Sequence, residues 1–267
     1  MQWISSRNNP RVRALAALHQ RKHRQAQSLT LAEGLHLVLG AFAAHVPIST
    51  LIISRRAADL PETPALESEA RSRSIELLRL SDSCYLKISQ LQSPEGVAVT
   101  IRTRPVPLES LLVDSARLLV AAGVQDPGNA GALVRTAEAA GASGCIFLGG
   151  LDLSHPRFLR GAQTSSFRLP CCSAPEGPFL DALAKTPIRL LVADPRRSTD
   201  YLDADYSPPL AIVVGSEGRG IPPSLLAAAH TRLSIPMTPQ VESLNVAVAA
   251  GILLYQARRH WPQDPRP

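Results

Sequence analysis

The sequence predicts an α/β protein in two units: a small α/β domain, then a parallel sheet covered on both faces by helices. Three observations carry this. Apolar runs recur near 118–124, 145–148, 189–193, 210–214 and 233–237, and strands that read as unbroken apolar runs belong to parallel sheets buried on both sides. Helical patterns fill the gaps, the last from about Ser243 to Arg259 with Val246, Ala249, Leu253 and Leu254 on one stripe. The stretch Arg104-Pro105-Val106-Pro107-Leu108 separates this series from a differently patterned first part, since paired prolines end a unit and stiffen a short linker. The domains are therefore read as 1–104 and 110–267, with 105–109 as linker.

In the first domain, Val12, Leu15, Ala16 and Leu18 mark a helix, and Glu33 to Ala44 a second. Strands are expected at Leu51–Ile53, Ile75–Leu78 and Gly96–Ile101. Ser81-Asp82 before Tyr85 and Ile88 reads as a capped short helix. Pro61 to Ser74, charged and proline-bounded, reads as a loop with a solvated helix. In the second domain the helix after the first strand runs through Ala139, and Gly141 closes it.

The 267 residues are 45% apolar and 19% charged, ordinary for a globular protein. No apolar run approaches the roughly 18 to 20 residues that span a bilayer, and Met1 to Arg13 lacks the apolar stretch of a signal peptide. A cytoplasmic protein without membrane contact is expected. Cys84, Cys145, Cys171 and Cys172 form no C-x-x-C pair and have no histidine at ligand spacing. Buried, reduced thiols and no metal site are expected.

The net charge of +6 is confined to one region. Residues 1–108 hold 14 Lys/Arg against 8 Asp/Glu, whereas residues 109–267 hold 14 against 14. Residues 1–32 contain Arg7, Arg11, Arg13, Arg21, Lys22 and Arg24 and no acid. Such a one-signed cluster is either a solvated basic helix or the footprint of a polyanion. Few aromatics interleave with it, so phosphate contact is favoured over base stacking.

Three segments of the second domain share a form, a strand-like run ending in small and then polar residues. They are Val124 to Gly131 leading to Arg135, then Val214 to Gly220, then Ile235-Pro236-Met237 leading to Ser243-Leu244-Asn245-Val246. Ligands of open α/β sheets sit outside the carboxyl ends of strands, so three such loops imply one composite site. Gly215 to Gly220 is not a Walker loop, because no Lys-Ser/Thr follows. Its order is G-x-x-G-x-G, and it lies in the fourth strand unit, where a dinucleotide fingerprint does not belong.

The trio resembles the signature motifs of the SpoU (TrmH-like) RNA ribose methyltransferases of the SPOUT superfamily. Asn129, Gly131 and Arg135 match N-x-G-x-x-x-R; Gly215, Glu217 and Gly220 match G-x-E-x-x-G; Ile235 to Met237 and Ser243 to Val246 match I-P-M and S-L-N-V. The first domain is similar to the L30e-like RNA-binding domain of many members, with Ile4-Ser5-Ser6, Asn9-Pro10, Arg24 and Glu33-Gly34 where such residues usually fall. Arg160-Gly161-Ala162-Gln163-Thr164, Pro239 and Ala247 depart from common family residues and bear on substrate contacts and loop shape.

The resemblance implies a trefoil-knotted methyltransferase domain, S-adenosyl-L-methionine as donor and a ribose 2′-hydroxyl as acceptor, in ribosomal rather than transfer RNA. It also implies a homodimer whose site takes Arg135 from the partner subunit, with the final helix as dimer face, as core packing, or as both. Ala193, Gly215, Gly220, Ile235, Met237 and Leu244 would hold the cofactor. Asn129, Arg135, Glu217, Ser243 and Asn245 would be catalytic, Asn245 and Ser243 orienting the ribose or holding the loop closed. Arg135 could act as base or bind phosphate and the developing alkoxide; a guanidinium that stays protonated favours the second. As a bland alternative, Arg135 pairs with Glu138 at i+3 on a helix surface. A non-catalytic RNA-binding or ribosome-assembly protein, a tRNA 2′-O-methyltransferase and a resistance enzyme are the other functions this scaffold could carry.

Overall fold

The computed structural model describes residues 3–102, 106–194, 199–216 and 218–261. The chain divides into two compact units, one of residues 1–104 with 154–167, the other of residues 105–153 with 168–267.

The first unit opens with α1 (Pro10–Ala17). Asn9 accepts from the Arg11 N–H at 2.9 Å, and Pro10 takes the first helical position, where its missing N–H is harmless. There follow α2 (Arg21–Gln27), β1 (Leu29–Glu33), α3 (Leu35–Ala43), β2 (Ile48–Ser54), α4 (Thr63–Ser72), β3 (Glu76–Leu80), α5 (Asp82–Ile88) and β4 (Val97–Arg102). The sheet order is β1-β4-β2-β3; β4 is antiparallel to both neighbours and β2 is parallel to β3. Val12, Leu15 and Leu18 meet Cys84, Tyr85 and Ile88 over Leu31, Ile52, Leu78, Leu80 and Ala98.

Two readings of this unit are corrected. Leu29–Glu33 is a strand, and the helix expected from Glu33 begins at Leu35. The strand exists through its pairing with Ala98–Arg102, about 70 residues away, a contact that local periodicity cannot express. Helix α4 is not a solvated helix in a loop, because it buries Leu66 and Ala70. It also buries Glu67, which accepts from Arg71 at 2.8 Å and Arg79 at 2.5 Å.

The second unit begins β5 (Arg117–Ala122), α6 (Pro127–Ala140), β6 (Gly144–Leu148). As expected, Gly141 closes α6 in the left-handed conformation, φ +86°. Past β6, Ser154–Phe167 packs with the first unit. It comprises α7 (Pro156–Ala162) and a 3-10 turn over 163–167. Gly40 of α3 lets Thr164 approach, since a Cβ there would stand 2.1 Å from its Cγ2.

This excursion explains Arg24, whose assignment as an RNA contact the structure overturns. Arg24 is 2% exposed. Its Nη1 donates to the carbonyls of Leu18 and His19, each at 2.8 Å, and its Nε donates to Ser154 Oγ at 3.1 Å. A charge run shows sign but not which way one member points. Arg24→Leu leaves one buried and two part-buried acceptors without this donor, at about 1–3 kcal/mol for a fully buried one. A loss of about 3 kcal/mol in urea unfolding is expected, whereas the exposed Arg7→Ala should change stability by under about 0.5 kcal/mol.

The remaining elements are β7 (Cys171–Ala174), α8 (Glu176–Leu183), β8 (Arg189–Ala193), β9 (Thr199–Asp200), β10 (Leu210–Gly215), α9 (Pro223–Ala227), β11 (Thr231–Ser234) and α10 (Val246–Arg258). The sheet is parallel throughout, in the order β7-β6-β5-β10-β8-β11-β9. Leu118, Val120, Val192 and Val213 face Phe179 and Leu183 of α8 and Leu225 of α9, while α6 and α10 pack on each other and reach β6 and β10. Both faces are covered, which is why Leu118–Ala122 is buried along its whole length. Sequence reading missed β7 and β9 and carried β11 too far: it ends at Ser234, and Ile235-Pro236-Met237 is loop. Pro236 has no N–H to continue a ladder. Among the cysteines, all free, Cys84, Cys145 and Cys172 are buried and Cys171 is half-buried.

Candidate active site

Because the strands run parallel, their carboxyl ends lie along one edge. Ala122 of β5 stands opposite Gly215 of β10, and Ala193 of β8 opposite Leu233 of β11. The first two loops therefore start side by side, and a Cβ on Gly123 would lie 3.5 Å from Ser216 Oγ. Gly123 takes φ +71°, and its N–H donates to Leu148 O at 2.9 Å.

A cleft of about 230 Å³ lies between these loops. Gly123 to Asp126 and Asn129 line it from the first loop, Ser216, Gly218 and Arg219 from the second, and Val246 from the start of α10. Asp126 caps α6, accepting from the Asn129 N–H at 2.9 Å, so Asn129 occupies the first turn at the cleft. The second loop closes on itself, Gly220 N–H donating to Ser216 O at 2.9 Å. Gly215 permits that closure: a Cβ there would stand 2.5 Å from Gly220 C and 2.7 Å from Ile221 Cγ1. Asn245 caps α10, accepting from the Ala247 N–H at 3.0 Å, and so sets where the helix begins.

The structure brings Asn129, the Gly215–Gly220 loop and the Asn245–Val246 junction together. Ala193, Ile235 and Met237, all half-buried, stand at the ends of β8 and β11 and do not line this cleft. Leu244 is half-buried and Ser243 exposed. Glu217 lies outside the described residues. Arg135, six residues beyond Asn129 on α6, is exposed, and among the described residues its side chain makes no hydrogen bond or ion pair. Its bland pairing fails, because Glu138 is engaged by Arg168, with Nε–Oε1 at 2.7 Å and Nη2–Oε2 at 2.9 Å. Sequence reading missed Asp126, Ser216 and Arg219 as cleft residues; the Asp-Pro helix start was a legible signal for the first.

In the first unit Arg7, Arg11, Arg13, Arg21 and Lys22 are exposed. Arg11 is ion-paired with Glu76, and its hydrogen bond holds the Glu76 carboxyl below the usual carboxylate range. Among the described residues no group of three or more His, Cys, Asp or Glu could hold a metal ion, and no helix is long and apolar enough to cross a membrane.

A parallel sheet with a cleft assembled from small-residue loops at its carboxyl edge has the ligand-site architecture of an α/β enzyme. The chain belongs to the SpoU rRNA Methylase family, whose sequence profile matches residues 116–255, and it is an RNA methyltransferase. The profile of the MRM3-like substrate binding domain matches residues 9–99. The 23S rRNA (guanosine(2553)-2'-O)-methyltransferase RlmP of Bacillus subtilis is 30% identical, the match covering 97% of this chain and 100% of that one. An uncharacterized tRNA/rRNA methyltransferase of Synechocystis is 33% identical over 96% and 93%. The crystal structure of an AdoMet-bound rRNA methyltransferase from Sinorhizobium meliloti superposes with a TM-score of 0.89 at 30% identity, covering 98% of this chain and 99% of that one.

Proposed function

We propose that this protein transfers a methyl group from S-adenosylmethionine to a ribose 2′-hydroxyl of 23S rRNA in the cytoplasm. The observation that carries the reading is the convergence of the three motif loops at one sheet edge, in a chain whose likeness to RlmP runs its full length. The site suits the cofactor. Gly215 lets the loop main chain fold tightly, leaving backbone groups for polar atoms, and half-buried Ala193, Ile235, Met237 and Leu244 offer apolar contact for an adenine. When bound, S-adenosylmethionine supplies an electrophilic methyl group on a sulfonium, so the protein's task is chiefly positioning.

Arg135 is the acceptor-side group. A guanidinium offers five N–H donors in a planar fork and no acceptor, so Arg135 binds phosphate and stabilises the developing alkoxide, with Glu217 orienting its fork. Asn129 hydrogen-bonds the target ribose; Ser243 and Asn245 hold the third loop. Domain 110–267 is read as catalytic and trefoil-knotted, and 1–104 as substrate-binding.

We also read the protein as a homodimer in which Arg135 serves the partner's site. Helix α10 buries Val246, Ala250, Leu253, Leu254 and Ala257 on its own unit yet leaves Val248 and Tyr255 exposed at 52% and 53%. These two lie seven residues, hence two turns, apart on one face.

Incubation with labelled S-adenosylmethionine and either 23S rRNA or tRNA, followed by mapping of the label, tests the reading. Label on one 23S ribose is expected; label on tRNA alone overturns the substrate, and no label on either overturns the enzyme. RNA affinity should fall steeply with salt through counterion release. Arg7→Ala, Arg13→Ala, Arg21→Ala or Lys22→Ala should each reduce the salt slope by about one. An unchanged slope in all four would remove these residues from the interface.

A further inference from the structure

Residues 3–102 carry three aromatic side chains besides histidine: Trp3, Phe42 and Tyr85. Phe42 and Tyr85 are buried core residues at 2% and 1% exposure, whereas Trp3 is only half-buried. The next residue is pinned to the sheet, since the Ile4 N–H donates to Arg79 O at 3.0 Å and the Ser81 N–H donates to Ile4 O at 2.9 Å. Two guanidiniums attend the Trp3 ring, Arg55 Cζ at 5.5 Å and Arg79 Cζ at 5.7 Å from the centroid. They differ in their freedom. Arg79 is held by Glu67 at 2.5 Å, while the Arg55 side chain is exposed and has no hydrogen bond or ion pair among the described residues. Other cations are tied to these residues: Arg56 is exposed beside Arg55, Arg7 follows Trp3 by four residues, and Lys87 Nζ donates to the carbonyl of Arg7 at 2.7 Å.

We propose that Trp3 and Arg55 form a stacking station for an unpaired base of the RNA substrate, with Arg7, Arg56 and Lys87 meeting the flanking phosphates. The proposal rests on the RNA-substrate reading above and adds to it a site for a base in a domain otherwise credited with phosphate contact alone. An indole rigidly based and bordered by cations matches the repeat of a single strand, flat base beside charged phosphate. Arg55 gives up only an exposed cation–π contact when it swings to a phosphate, and such a contact is weak in water. A purely covering role, an apolar lid on the edge of β3, would need neither the ring's π face nor the free guanidinium.

The test uses the full-length protein and a labelled single-stranded RNA of about 12 nucleotides, within the usual site size for such strands, at several salt concentrations. Trp3→Ala and Trp3→Leu are expected to weaken binding about tenfold or more, with the salt slope unchanged because stacking releases no counterion. Trp3→Phe should stay within about threefold of wild type, since it keeps a stacking face. Arg55→Ala should lower the slope by about one. RNA should quench the tryptophan emission of the wild type, and Trp3→Phe should abolish the quench, because the other tryptophan, Trp261, is 4% exposed. Wild-type affinity in Trp3→Leu, which keeps an apolar cover without a ring, overturns the stacking station. If that variant also methylates 23S rRNA normally, the station alone falls. If the wild type binds neither this RNA nor 23S rRNA, the substrate reading falls with it.

Discussion

Arg135→Ala is expected to lower kcat/KM about a thousandfold, roughly 4 kcal/mol of barrier, while S-adenosylmethionine affinity stays within a few fold. The split follows from where the residue stands. Arg135 lies on the exposed side of α6, six residues past the cleft-lining Asn129, and its nearest candidate partner on the helix, Glu138, already grips Arg168 bidentately. An exposed guanidinium with no hydrogen bond or ion pair among the described residues contributes little to the stability of its own unit, so stability should hold. Arg135→Lys should rescue poorly, because an ammonium keeps the charge and loses the planar fork. If Arg135 is a solvated surface charge, both variants change the rate by less than about tenfold. The shared-site reading asks for more. Equal amounts of Arg135→Ala and Asn245→Ala subunits, each inactive alone, should regain about a quarter of wild-type activity, since half the dimers are mixed and each carries one intact site. Asn245→Ala also removes the α10 cap, worth about 1 kcal/mol, so its folding is checked by thermal unfolding first. Mixed dimers that form and stay inactive would place both residues in one subunit's site.

Gly215→Ala is the second large effect, and here the donor side should fail. The new methyl would lie 2.5 Å from Gly220 C and 2.6 Å from Gly220 O. Both are backbone, so the loop itself must open. Overpacking of this kind costs about 1–3 kcal/mol; taken from the bound state, it lowers S-adenosylmethionine affinity roughly 5- to 150-fold by calorimetry. Gly220→Ala is the contrasting substitution. Gly220 has φ +63° but open space around its missing Cβ, so it should cost about 1–2 kcal/mol of backbone strain and leave the loop closed. Affinity unchanged in Gly215→Ala would show that closure of this loop does not build the cofactor site. RNA binding, read in the same variants, should not move.

The sequence by itself determined the second unit's frame and the positions of its loops. The runs at Leu118–Ala122 and Leu210–Val214 are apolar throughout because both faces of a parallel sheet are covered, and that burial is written locally, residue by residue. Gly141 takes a left-handed φ that side chains disfavour, and Gly215 is approached too closely by Gly220 for a Cβ, so both glycines were legible. The convergence of the motif loops followed from parallel strands sharing one carboxyl edge.

Tertiary structure alone decided the rest. The strand Leu29–Glu33 exists by pairing with β4, and Cys171–Ala174 by pairing with β6; neither has a periodicity of its own strong enough to announce it. Arg24 reads as one more cation in a basic run, yet it is buried against Leu18 O, His19 O and Ser154 Oγ, the last of these 130 residues away. Only the fold brings Arg55 and Arg79 to the ring of Trp3. Local propensity and burial pattern are properties of neighbouring residues, whereas the direction of a side chain and the identity of its partner depend on contacts between distant segments, which no short window of sequence contains.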